Sequence, residues 1–310
     1  MRQQWEANDR GRVRRKIVAW VVSLALLGAA RPSAGAPADA ADSPLGIGFL
    51  WTAQSDQVVD RLGSEKDYVD VILGPGRLEI FDRVKPPTRV ACISLALERN
   101  EARPFPGVKE TIEILRKARV APGRVIIAYN PERSPGTTAR ELDELLASVR
   151  RARELARSYG APLMVGPGLR EMMSREDLYP ELAKNCDAWL IQSQRLQLDE
   201  TTRKPVDVAH YRHEVKRIVD RLREGNPKIR IYVQLVTTAE RQRVALSAEQ
   251  IAAFARSIED LVDAVRIYGA RAELLNGIID QLRPRGAARA PSAGPAPGAK
   301  GHSSQSKQNR

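Results

Sequence analysis

The chain has 310 residues, 43% hydrophobic and 28% charged, with a formal net charge of +12. That length accommodates one large α/β domain or two ordinary ones, and the composition is globular. The charge sits at the ends, with +4 in residues 1–40, +6 in residues 283–310 and only +2 between, which argues against a nucleic-acid-binding fold carrying cations on its body.

Residues 1–40 read as an export signal. Arg10, Arg12, Arg14, Arg15 and Lys16 form its charged region, and Ile17 to Ala30 is an apolar run of fourteen residues. A bilayer-spanning helix needs about 20. Ala38-Asp39-Ala40 fits a cleavage site and leaves Ala41 as the first mature residue. Arg14-Arg15-Lys16-Ile17-Val18 resembles the core of a twin-arginine signal, with Val13 where a polar residue is usual. The expected location is periplasmic or extracellular, and the alternative is anchorage to the membrane by an uncleaved signal.

Strand candidates then recur along the chain. The first is Leu45 to Trp51, followed by a short amphipathic turn with Val58, Val59 and Leu62 and closed by Gly63. Val69 to Leu73 is the second and Arg89 to Leu97 the third, with Leu78, Ile80 and Phe81 between them fitting neither period. Val108, Ile112 and Leu115 form a helical stripe. Val125 to Ala128 opens the fourth strand, an unbroken apolar run like those of strands buried on both faces. Thr138-x-x-Glu141 reads as a capping box ahead of a long helix closed by Gly160. Pro162 to Val165 is strand five, and the helical region after it is expected to break near Pro180. Ala188 to Ile191 is strand six, Asp207 caps the next helix, and Ile229 to Val236 is strand seven. Ser247-x-x-Gln250 is a second capping box, Ala264 to Tyr268 is strand eight, and Leu274 to Leu282 lies on the last helix.

Eight strands alternating with helical segments over about 240 residues predict a single (β/α)8 TIM barrel over residues 41–282, of the α/β class. A doubly wound sheet would carry a glycine-rich turn after strand one, and Trp51-Thr52-Ala53-Gln54 is not one. Residues 283–310 are Ala, Pro, Gly, Ser and basic residues with little to bury, and are expected to be a disordered tail. That tail could contact an anionic cell envelope loosely or serve as a solvated spacer. Cys92 and Cys186 fall on different sides of such a barrel and are expected to be unpaired.

In a barrel of this type the site lies at the carboxyl ends of the strands. The residues there include Trp51, Glu98, Asn100, Tyr129, Asn130, Glu132, Gln192, Gln194, Gln234 and Tyr268. Amides and carboxylates hydrogen-bond hydroxyls and aromatic faces pack on sugar rings, so the set suits a neutral hydroxylated ligand. No His lies on a predicted strand, and no metal or other cofactor is implied. His210 and His213 read as a solvated helix face. Glu98 and Glu132 follow adjacent strands and could divide acid and base roles.

In these features the chain resembles the barrel glycoside hydrolases. One large group of them carries an Asn-Glu pair after strand four and a Glu at the end of strand seven. Asn130 matches the Asn, Pro131 displaces Glu132 by one position, and Gln234 stands where the nucleophile is expected. The resemblance implies a hydrolase acting on a polysaccharide or glycan, with Glu132 as the acid and Glu98 as its partner. Asn130, Gln192, Gln194 and Gln234 would bind hydroxyls, and Trp51, Tyr129 or Tyr268 would stack on sugar. The alternative is a non-catalytic barrel that binds a glycan or cell-envelope partner.

Overall fold

The computed structural model describes residues 45–74, 76–99, 105–199, 201–202, 204–239 and 244–283. The export segment, Asn100 and the tail beyond Arg283 lie outside the described residues.

Eight parallel strands close into a barrel. They are β1 (Gly46–Leu50), β2 (Tyr68–Val71), β3 (Arg89–Ser94), β4 (Val125–Tyr129), β5 (Leu163–Val165), β6 (Ala188–Gln192), β7 (Arg230–Val236) and β10 (Ala264–Tyr268). Each pairs with its sequence neighbours, and β10 pairs with β1 to complete the ring. A small antiparallel hairpin, β8 (Thr238–Ala239) with β9 (Val244–Ala245), rises after β7 and was not legible in the sequence.

Side-chain alternation divides the core into two layers. Outward residues such as Val69, Cys92, Ile127, Val165 and Val233 pack under the helices. Inward residues form a separate lumen cluster that includes Tyr68, Ile93, Ile126, Met164, Leu190 and Tyr232. Tyr68 and Tyr232 stack with ring centroids 5.0 Å apart and fill the waist. Gly48 of β1 makes room for this pair, because a Cβ there would lie 2.4 Å from the Tyr68 ring.

The helices follow their predicted caps, with local differences. Thr138 accepts from the Glu141 N–H, but the Glu141 carboxylate turns away and accepts from Leu97 N–H at 2.9 Å. It therefore braces the loop after β3 instead of closing a capping box. Ser247 and Gln250 do form the reciprocal box. Gly160 ends its helix at φ 86°, the left-handed geometry that glycine adopts at no steric cost. The helical region after β5 is broken ahead of Pro180 as expected, into Leu169–Met173, a 3-10 turn at Glu176–Leu178 and Tyr179–Ala183, and Pro180 sits in the first turn of the last piece, where its missing N–H is harmless. Leu78 to Arg83, ambiguous in the sequence, folds into a single helical turn at Ile80–Arg83.

The barrel is closed below by a buried ion pair. Arg283, assigned to the tail from the sequence, follows the last helix directly and donates to Asp67 at 3.0 and 2.5 Å. Asp67 also accepts from the backbone N–H groups of Ile47, Gly63 and Ser64. One carboxylate thus ties the start of β1, the turn before β2 and the end of the last helix.

Cys92 and Cys186 are free and buried. Burial pushes both thiols well above their ordinary pKa. Neither should react with an aromatic disulfide reagent in the native protein, and two should titrate after unfolding in guanidinium. A count below two after unfolding would show that they are bridged or modified.

Candidate functional site

The carboxyl mouth of the barrel holds one continuous hydrogen-bonded chain. Arg266 on β10, Gln234 on β7 and Gln192 on β6 occupy one level, since Arg266 is in register with Gln234 and Gln234 with Gln192. All three point inward by alternation with Ala264, Tyr232 and Leu190. Arg266 reaches past β1 to a buried ion pair with Asp70 on β2. Gly48, the β1 residue in register with Arg266, has no side chain to block that crossing.

From Arg266 the chain runs in one direction. Its Nη1 donates to Gln234 Oε1 at 2.7 Å. Gln234 Nε2 donates to Gln194 Oε1 at 3.0 Å, and Gln194 Nε2 to Gln192 Oε1 at 3.3 Å. Gln192 Nε2 donates to Glu132 Oε1 at 2.8 Å and to the Gly166 carbonyl at 2.8 Å. A cation heads the relay and a carboxylate ends it, so each amide has one allowed orientation. Turning any of the three would set donor against donor or acceptor against acceptor. Such a chain polarises cooperatively. Gln194 and Gln234 each retain one N–H beyond those bonds, available to a ligand oxygen.

Asn130 extends the polar lining. It is 3% exposed, and its Oδ1 has no hydrogen-bond partner among the described residues. That oxygen would lie 2.9 Å from a Cβ at position 166, so Gly166 is the residue that allows Asn130 its place. The loop carrying Glu132 is braced by its own N–H on Thr137 Oγ1 and by Thr137 on the Leu95 carbonyl.

Electrostatics differ between the two ends of the relay. Burial raises the Asp70 carboxyl to about 6, against the opposing pull of Arg266. Tyr68 beneath it is raised too, first by burial and then by Asp70. Tyr268, half-buried at the rim, has the Arg266 guanidinium 5.5 Å from its ring centre.

The residues expected at the site therefore divide into two groups. Glu132, Asn130, Gln192, Gln194, Gln234 and Tyr268 gather at the mouth. Three others do not. Glu98 has a side chain 69% exposed and pairs with Lys109 on the outer helix at 3.4 Å, outside the relay. Tyr129 points outward into the sheet–helix layer and is fully buried there, so its ring has no face for a sugar. Trp51 is also turned outward, with its N–H on Asp56 at 3.0 Å and its face under Arg77. For Tyr129 and Trp51 the cause is parity, since each lies one residue away from a lumen-facing position. Asp70 and Arg266 were missed from the sequence. Their signal was available, as each is a charge in the middle of an otherwise apolar strand, YVDV and AVRIY.

No family model, glycoside hydrolase or other, matches the chain, and no curated protein matches it. Among solved structures it is similar to a truncated 3-deoxy-D-arabino-heptulosonate 7-phosphate synthase from Thermotoga maritima, at 15% identity and a TM-score of 0.33. The match covers 58% of this chain and 50% of that one. The chain thus spans about half the length of that synthase. A likeness of that size carries nothing about activity, and the barrel assignment rests on the closed ring of eight parallel strands.

Proposed function

We propose that the barrel binds a neutral, hydroxyl-rich ligand, a glycan or polysaccharide segment, at its carboxyl mouth. The observation that supports this is the amide relay from Arg266 to Glu132, with the unpartnered Asn130 oxygen beside it. Amides that both donate and accept match hydroxyls, which do the same. Tyr268 offers the half-buried aromatic face. Binding without turnover is favoured over hydrolysis for two reasons. Glu98 stands outside the relay, paired with Lys109. Gln234, at the end of strand seven, cannot act as a nucleophile.

Hydrolysis of glycoside type is the second reading. Glu132, held at the mouth by Gln192, favours it as the acid. The deciding experiment incubates the protein with a polysaccharide panel and measures both retention and reducing-end release. The binding reading expects retention without release, weakened at least tenfold by Gln194→Ala and little changed by Glu132→Gln. Release by the wild type, cut at least about 100-fold by Glu132→Gln, would establish hydrolysis with Glu132 as its acid. Neither retention nor release across the panel would remove the glycan from the account.

Export belongs to the same proposal, supported by the charged, apolar and small-residue succession over residues 10–40. Among the described residues no helix is long and apolar enough to cross a membrane. Amino-terminal sequencing of the protein recovered from cells should begin at Ala41, whereas an intact amino terminus would contradict cleavage.

A further inference from the structure

The opposite, amino-terminal mouth of the barrel contains a cavity of about 320 Å³ lined by Arg89, Lys228, Arg230, Asp187, Asn226 and Tyr232, with Ile126, Pro162 and Ala188. That volume is at the small end of ligand pockets. Arg89 and Arg230 share the inward parity of Ala91 and Tyr232, so their side chains leave the strands toward the lumen side. Among the described residues none of Arg89, Lys228 and Arg230 is in an ion pair. The buried arginines at the other sites of this barrel are paired, Arg266 with Asp70 and Arg283 with Asp67.

Asp187, the carboxylate lining the cavity, is committed elsewhere. It accepts from the Leu163 N–H at 2.9 Å and faces Arg153 at 3.9 Å. Three cations, none of them in an ion pair with the single lining carboxylate, therefore border a concave space that is apolar at Ile126, Pro162 and Ala188. Tyr232 closes the inner end, and burial raises its pKa, so its hydroxyl keeps its proton and can donate. The stacked Tyr68–Tyr232 pair separates this cavity from the amide relay at the other mouth.

We propose that the amino-terminal mouth is a binding site for a small phosphate-bearing anion, clamped by Arg89, Arg230 and Lys228 around the Tyr232 hydroxyl. Arg guanidinium groups suit phosphate because their forked N–H donors match its oxygens in pairs, and Lys adds a point charge. The site is independent of the glycan reading.

The probe is pyrophosphate, titrated calorimetrically into the full-length protein at low ionic strength, with Arg89→Gln and Arg230→Gln beside it. Circular dichroism verifies that each variant is folded, and Arg140→Gln, on an exposed helix, is the control. The expected result is saturable binding of one pyrophosphate per chain, weakened at least tenfold by Arg89→Gln or Arg230→Gln and unchanged by Arg140→Gln. Absence of saturable binding would overturn the site. So would binding that neither Arg89→Gln nor Arg230→Gln weakens, since the anion would then be held by the basic ends of the chain.

Discussion

Replacing Arg266 with methionine should destabilise the protein by about 3–5 kcal/mol at pH 7.5, because it strands a carboxylate that is 0% exposed. Asp70 has no other hydrogen-bond partner among the described residues, so nothing compensates. The loss should depend on pH in a defined sense. Burial raises Asp70 in the folded protein from 3.8 to about 6. A carboxyl raised on folding contributes most below its unfolded value, and the contribution is lost as pH rises through the folded value. Removing Arg266 removes the one attraction holding Asp70 down, so its folded value climbs further. The penalty should therefore be small near pH 4, where the carboxyl enters the barrel neutral, and full above pH 7. Urea denaturation at the two pH values measures it. Asp70→Leu combined with Arg266→Met should recover most of the stability, as buried ion pairs commonly do when both members become apolar. A loss below about 1 kcal/mol at both pH values would show that Asp70 is not buried as an ion.

The second large effect lies at the other end of the barrel. Arg283→Leu should cost about 3 kcal/mol, near the lower end for a broken buried pair, because Asp67 keeps three backbone N–H donors when the guanidinium is gone. Arg283→Lys should recover only part of this. An ammonium restores the charge but cannot span both carboxylate oxygens as Nη1 and Nη2 do. Deleting residues 287–310 should leave the unfolding midpoint unchanged. If Arg283→Leu unfolds at the wild-type urea concentration, the anchoring role fails.

The architecture was readable because each barrel strand is a continuous apolar run bounded by turn residues, and the helices carry recognisable caps. The same continuity hid the site. In Val125-Ile126-Ile127-Ala128-Tyr129 every residue is apolar or aromatic, so nothing in the pattern says which of Tyr129 and Asn130 faces the lumen. The barrel decides it: Asn130 turns in with Ile126 and Ala128, and Tyr129 turns out with Ile127. The same ambiguity separated Leu50 from Trp51. Glu98 failed for another reason, since it lies beyond the end of β3 on a loop that wraps toward helix Val108–Lys117 and takes its carboxylate out to Lys109. The three glutamines gathered because two share a register level and the third lies within the single 3-10 turn Ser193–Arg195 that follows β6. Asp70 and Arg266 could have been paired in advance. Opposite charges centred in two apolar strands have few ways to be satisfied except by each other.

The Asp67–Arg283 contact joins residues 216 positions apart. During synthesis the ribosome delivers Asp67 early and its guanidinium last, after all eight strands have emerged. Until then the segment leading into β2 carries the Asp67 carboxylate without its counterion, and native closure of the ring is penalised at every intermediate length. The nascent barrel is in this way biased to remain open until its final barrel residue is available.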